Sequence, residues 1–244
     1  MEKEYVLVTG ATSGIGACLV RQLVAGGAPV VACGRNEARL SELSHAGGGL
    51  CFACDLQETA QLGESLTVFL QDHNVLVKGF VHCAGVYPIA PLRLMSDEAA
   101  HAVMDVNLFS AMAMLRVLLK KRVNHGALQS VVMISSTSSV RGTQGMTAYC
   151  ASKAAVDGFV RATAAELAPQ VRVNAVRPGG LATPGGLAMS EGAREMLAHP
   201  EEHGYLLGQG HVEDVVSLIR YLLSDRARWI TGQCFTVDGG LTAH

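Results

Sequence analysis

The chain has 244 residues, 49% of them apolar and 16% charged, which suits one large domain or two small ones around a sizeable core. Lys and Arg number 19 against 21 Asp and Glu, so no net field draws the chain to nucleic acid or to an acidic membrane. The acidic N-terminus MEKEYVLVTG argues against a secretory leader, and no uncharged apolar stretch reaches the about 18 residues of a membrane span, so a soluble cytoplasmic protein is expected.

The first apolar run, YVLVT (5–9), lacks polar alternation, as a strand buried on both faces does. It leads into TGATSGIG, Thr9 to Gly16, which opens the helical pattern GIGACLVRQLVAGG. Gly10 suits a tight turn, Gly14 a close approach of backbone to a pyrophosphate, and Gly16 the packing of helix on strand. The helix N-terminus adds N–H donors and a positive dipole end. Gly-rich turns also exist simply to turn, but a strand before and a helix after are the context that points to dinucleotide binding. The second strand, PVVAC (29–33), ends in Gly34 and Arg35. An NAD site has an acid about 20 residues on to hold the ribose 2′-hydroxyl. A guanidinium suits a 2′-phosphate instead, which favours NADP(H) over NAD(H). The alternative is that Gly34 and Arg35 only make the turn into EARLSELSHAG.

LCFAC (50–54) reads as the third strand, with Cys51 and Cys54 on opposite faces as core thiols. The seven Cys show neither a disulfide framework nor metal-ligand spacing, so no metal is expected. Asp55 follows, either accepting from an adenine amino group or capping the next segment, TAQLGESLTVFLQDH. GFVHCA (79–84) is a fourth strand, in which His82 reads as a packed residue rather than a base. AAHAVMDVNLFSAMAMLRVLLKKR reads as one long helix with Asn107 set among apolar neighbours. SVVMIS (130–135) and VRVNAV (171–176) are strands either side of the small-residue helix holding TAYCASKAA, Thr147 to Ala155. Tyr149 and Lys153 are four residues apart there and share a helix face. They are either a tuned acid/base pair or a surface Tyr leaning on a Lys stem. Strands alternating with helices predict an α/β fold, a single doubly wound Rossmann-type domain over residues 1–244 with a parallel sheet of about seven strands.

TGATSGIG upstream and YCASK downstream together resemble the short-chain dehydrogenase/reductase family, in its compact single-domain subtype, from Tyr5 to about Thr242. The resemblance implies a catalytic set of Asn107, Ser136, Tyr149 and Lys153. Tyr149 is expected to give a proton to a carbonyl oxygen, Lys153 to lower its pKa and bind the nicotinamide ribose, Ser136 to hold the substrate oxygen, and Asn107 to complete a proton relay. The implied cofactor residues are Gly10, Thr12, Ser13, Gly14, Ile15, Gly16, Gly34, Arg35, Asp55, Leu56, Ala84, Gly85, Tyr149, Lys153, Pro178, Gly179, Leu181 and Thr183. HCAG, His82 to Gly85, stands where relatives have N-N-A-G, so Cys83 lacks an amide that braces the central strands. Many NADP-binding relatives carry a basic residue where Ser13 stands. WITGQCFTVDGG matches the family's C-terminal end, with Asp238 expected near an oligomer contact, and a homodimer or homotetramer is implied.

The leading reading is an NADPH-dependent carbonyl reductase or alcohol dehydrogenase acting on a small carbonyl or alcohol. Leu187, Met189, Met196 and Leu197 in a substrate-covering loop (185–208), with Met146 and Val140, are expected to form an apolar wall, and Arg141 to be exposed. A 3-oxoacyl acyl-carrier-protein reductase is the alternative: Lys120, Lys121 and Arg122 supply half of a docking surface for an acidic carrier, while Pro169 and Gln170 supply no cation for the other half. A non-catalytic NADP-binding protein has no need of all four catalytic positions, and an extended sugar-nucleotide epimerase needs a longer chain.

Overall fold

Seven strands lie side by side in the order β3-β2-β1-β4-β5-β6-β9, every neighbouring pair parallel. They are β1 (Glu4–Thr9), β2 (Val30–Gly34), β3 (Leu50–Ala53), β4 (Leu76–His82), β5 (Ser130–Ile134), β6 (Arg172–Pro178) and β9 (Cys234–Val237). The short strands β7 (Leu181–Ala182) and β8 (Gly210–His211) pair separately. This computed structural model describes residues 3–45, 49–182 and 204–243. Helices α1 (Gly14–Ala25), α2 (Glu37–His45), α3 (Thr59–Asp72), α4 (Asp97–Leu118), α5 (Thr147–Leu167) and α6 (Val212–Leu223) cover the two faces.

The apolar runs are continuous because both faces of each strand are buried. Leu7, Val31, Phe80, Val131 and Val173 point to one core, against Leu66 of α3, Met114 of α4 and Val160 of α5. Their sequence neighbours Val6, Val8, Val30, Val81 and Val132 point to the other, against Leu19 of α1, Leu40 of α2 and Ile219 of α6. Each fully buried side chain of this size contributes about 1.5–3 kcal/mol through lost apolar hydration. Helix α4 is long and apolar enough to cross a membrane by length and composition, but 61% of that stretch is buried inside the protein, as befits a core helix.

Strand β4 begins three residues before the predicted GFVHCA run and stops at His82, so Cys83 and Ala84 leave the sheet. The predicted 99–122 helix is also corrected. It starts at Asp97, where the Ser96 hydroxyl accepts from the Ala99 amide (3.2 Å). A π-helical turn, Asp105–Phe109, interrupts it, and α4 ends at Leu118, before the basic residues.

Candidate active site

Strand order reverses direction between β1 and β4, and the carboxyl ends of the strands open there into a cleft. Its floor is the turn from β1 to α1. Gly10 adopts φ +64°, and a Cβ on it would lie 2.8 Å from the Ala84 amide nitrogen. A Cβ on Gly16 would overlap the Gly10 carbonyl oxygen. Ser13 caps α1 in an extended conformation, yet its hydroxyl caps no amide, so the donors of the first turn face the cleft unshielded. A backbone cradle that any side chain would fill, on a helix N-terminus, fits the pyrophosphate of a dinucleotide. Twelve predicted cofactor residues line this one cleft: Gly10, Thr12, Ser13, Gly14, Ile15, Gly16, Gly34, Arg35, Asp55, Leu56, Ala84 and Gly85.

At the β2 end, a Cβ on Gly34 would come within 3.2 Å of the Thr12 methyl group, a tight fit that a small shift of Thr12 would relieve. Arg35 beside it is exposed and makes no ion pair among the described residues. Asp55 is exposed, and one of its carboxylate oxygens accepts from the Gln57 amide (3.0 Å). It therefore shapes the turn before α3 rather than capping that helix, whose N-cap is Glu58, and the capping reading is corrected. Cys54, Gln57, Cys83, Val86 and Val106 also line the cleft. Reading the sequence alone did not single these out as cofactor neighbours, because only strand register brings them there.

The π turn sets Asn107 wholly inside the protein, one residue after Val106 of the cleft lining. Its Oδ1 accepts from the Val86 amide (2.8 Å), while Nδ2 donates to the Val86 carbonyl (3.1 Å) and to Ser152 Oγ (2.9 Å). Asn107 is wholly buried and fully partnered, which fixes the loop after β4 against α4 and α5. Lys153, also buried, donates from Nζ to the Ile134 carbonyl at the end of β5 (2.8 Å). Burial lowers its pKa to about 8, opposed by Cys83 and Asp157. Ser136, the residue after Ser135 at the end of β5, accepts from the Ser138 amide (3.1 Å). The Tyr149 ring meets the Tyr87 ring edge-on at 5.8 Å, and Lys153 Nζ stands 5.6 Å from the Tyr149 centroid.

One expectation about this group is reversed. Lys153 was expected to lower the pKa of Tyr149, but in the bare protein burial raises it, with the Ser136 hydroxyl opposing. The ammonium lies over the ring and is committed to the Ile134 carbonyl, so it does not offset the desolvation. Tyr87 is a residue the sequence reading missed. It follows the HCAG turn closely, and that proximity was the available signal.

His82 does what Cys83 was expected to leave undone. It is fully buried; its Nε2 donates to the Val106 carbonyl (3.0 Å), so Nδ1 accepts from the Thr9 hydroxyl (2.9 Å). Thr9 in turn accepts from the Ala84 amide (3.3 Å). The imidazole thus ties β1, β4 and the π turn together. Burial, then the nearby Lys153 charge, lowers its pKa to about 3, so it remains neutral. Burial likewise pushes the Cys83 thiol up to about 12.

Pro178 ends β6, and Gly179 lies so close to Asp238 that a Cβ would contact the Asp238 Cα at 3.0 Å. Asp238 accepts from the Gly240 and Thr242 amides and the Thr242 hydroxyl (3.0, 2.9 and 2.7 Å), organising the C-terminal turn beside the site. Leu181 packs on Gly210 through the β7–β8 pair. Thr183, Leu187, Met189, Met196 and Leu197 lie outside the described residues, as does most of the 185–208 loop. Val140 is 59% exposed, Met146 is half-buried, and Arg141 is exposed as expected. Cys51 and Cys54 do face opposite cores, but both are half-buried rather than fully enclosed.

A doubly wound parallel sheet, a side-chain-free cradle at its switch point, and a Tyr–Lys pair beside a buried Asn define an oxidoreductase of the dinucleotide-binding Rossmann class. The pattern of the family described as Enoyl-(Acyl carrier protein) reductase matches residues 10–242. The chain belongs to the short-chain dehydrogenase/reductase family, oxidoreductases that act on CH–OH groups. It is 35% identical over 244 residues to L-xylulose reductase of Bos taurus, covering 97% of this chain and 96% of that one. It is 33% identical over 250 residues to 3-oxoacyl-(acyl-carrier-protein) reductase FabG of Thermotoga maritima, covering 99% and 98%. Among solved structures, 4-hydroxyisoleucine dehydrogenase complexed with NADH superposes with a TM-score of 0.87 at 28% identity, covering 99% of this chain and 100% of that one.

Proposed function

We propose that this single-domain protein is an NADP(H)-preferring reductase of a small ketone or aldehyde, reversible as an alcohol dehydrogenase, and that it works in the cytoplasm. The observation that supports this most is the convergence of Asn107, Ser136, Tyr149 and Lys153 beside the amide-lined cleft. A bound nicotinamide cofactor would supply or accept the hydride. Gly10 to Gly16 would hold its pyrophosphate, Asp55 its adenine end, and the region around Pro178, Gly179, Leu181 and Thr183 its nicotinamide end. The protein's own part is proton control. Ser136 orients the carbonyl oxygen, and the Tyr149 hydroxyl delivers the proton to it. Lys153, whose buried Nζ stands 5.6 Å from the Tyr149 ring centroid, would hold the ribose of a bound cofactor. Asn107 holds the loop and helix between which that proton is replaced.

Arg35 supports the preference for a 2′-phosphate, since Gly34 before it supplies no carboxylate of the kind an NAD site uses. The similar 4-hydroxyisoleucine dehydrogenase is complexed with NADH, so cofactor choice is the sharpest test of this reading. Replacing Arg35 by Ala is expected to weaken NADPH by about 10- to 100-fold, the loss of one charge-assisted contact, and to leave NADH little changed. Titration of both cofactors measures it, and a tenfold preference of the intact protein for NADH would overturn the assignment. A panel of carbonyls and alcohols followed by nicotinamide absorbance tests the activity.

A 3-oxoacyl-carrier-protein reductase is the second reading, supported by the exposed run Lys120, Lys121 and Arg122 and by the likeness to the Thermotoga enzyme. A homodimer or homotetramer is proposed as well. Phe109 on α4 is 42% exposed and Trp229 is 93% exposed, both apolar surfaces that a second copy would cover.

A further inference from the structure

Cys33 of β2 and Cys54, one residue past β3, hold their sulfurs 3.3 Å apart. Strand register explains the meeting. Cys33 pairs with Phe52, and Cys54 lies two residues beyond Phe52 on the same sheet face. Cys33 is wholly buried, whereas Cys54 is half-buried and lines the cleft beside Gly34, Arg35 and Asp55. Cys51, between them in sequence, faces the other core.

We propose that Cys33 and Cys54 form a reversible disulfide site at the adenosine end of the cleft, with Cys54 as the accessible thiol and Cys33 as the one that resolves it. The co-reactant is a low-molecular-weight disulfide of the glutathione type. The Cys54 thiolate attacks one glutathione sulfur, the glutathione S–S bond breaks, and glutathione thiolate leaves, giving a mixed disulfide on Cys54. Cys33 then loses its proton and attacks the Cys54 sulfur, expelling the second glutathione. Two protein thiols are oxidised and one glutathione disulfide is reduced to two thiols. The sulfur contact prepares this order: sharing a proton with Cys33 lowers the Cys54 pKa, while the same contact together with burial holds Cys33 protonated. Linkage draws the Cys54 sulfur out of the cleft lining and pulls on the segment whose amide bonds the Gly34 carbonyl (3.0 Å). Occupancy of the cleft and oxidation therefore oppose one another, a coupling that rests on the dinucleotide reading proposed above.

The reduced protein is incubated with oxidised glutathione and followed by intact mass and non-reducing peptide mapping. The expected product is lighter by two hydrogen atoms, carries one linked pair holding Cys33 and Cys54, and reverts with dithiothreitol. Cys33→Ala should instead retain one glutathione on Cys54, and Cys54→Ser should show neither product. NADP⁺ at about ten times its Kd should slow closure about tenfold, the factor by which mass action depletes the open form. An unchanged mass, a pair involving Cys51 or Cys83 instead, or glutathione retained on the intact protein without ring closure overturns the proposal. Closure at an unaltered rate with NADP⁺ removes the coupling alone, and failure of NADP⁺ to bind at all is seen separately in the cofactor titration.

Discussion

At the scale of single residues, the site is governed by what burial does to charge. Tyr149 is a phenol pushed away from ionisation, and Lys153 a cation whose proton is loosened. Tyr149→Phe keeps the ring against Tyr87 and removes only the hydroxyl. Turnover should fall by about 10²–10⁴-fold, the usual contribution of a general acid, with NADPH affinity nearly unchanged. Stopped-flow or steady-state rates on the best carbonyl substrate check this, and a near-normal rate would remove Tyr149 from the chemistry. Lys153 makes a further prediction about stability. Its folded pKa of about 8 lies below the ordinary lysine value near 10.5, so the unfolded chain holds the extra proton between those pH values. The destabilising cost of the buried ammonium is complete below about pH 8 and is relieved as pH rises toward 10.5. Lys153→Met should therefore lose activity and ribose binding together, yet gain in Tm relative to the parent at pH 7, with the gain shrinking by pH 10. Thermal melts at the two pH values decide it; a pH-independent difference would place the cost elsewhere.

At the scale of elements, the π turn of α4 is the piece on which the site depends, and His82 is its anchor. His82→Leu would remove one hydrogen bond each from the Thr9 hydroxyl and the Val106 carbonyl in a dry interior. The expected loss is about 1–3 kcal/mol in urea unfolding: each group loses one buried partner, while the Ala84 amide still donates to Thr9 and the Ser110 hydroxyl to Val106. A kcat reduction should accompany it at temperatures where the variant is still folded, because Asn107 moves with the turn. The strands were legible in the sequence because runs such as YVLVT and SVVMIS are buried on both sides and need no polar alternation. The glycine turn and the Tyr149–Lys153 spacing were legible because local geometry alone dictates them. The π turn was not, since one inserted residue leaves the apolar periodicity of α4 almost intact. Nor was the His82 brace, whose partners are 73 and 24 residues away in sequence, or the Cys33–Cys54 contact, which depends on the register of two strands.

At the scale of the whole molecule, the sheet gathers residues from β1, β2, β4, β5 and two helices around one opening, so a ligand there should stabilise the fold as a unit. NADPH at about 100 times its Kd is expected to add about 2.7 kcal/mol to unfolding, and the same concentration of NADH less. Differential scanning fluorimetry with each cofactor shows the order directly, and larger shifts with NADH would reverse the assignment made from Arg35.

The strand order also has a history built into it. β1 is near the start of the chain yet lies in the middle of the sheet, bonded on one side to β2 and on the other to β4, where Val6 meets Gly79. Until the chain has grown past β4, one edge of β1 keeps its backbone N–H and C=O groups unpaired, and the glycine turn after it hangs from a half-paired strand. The β1–β4 pairing is a contact between residues distant in sequence, and contacts of that kind slow folding. The same feature that lets one cleft collect distant residues therefore leaves the growing chain with a sticky, unpaired margin, which is a surface for chaperones to shield.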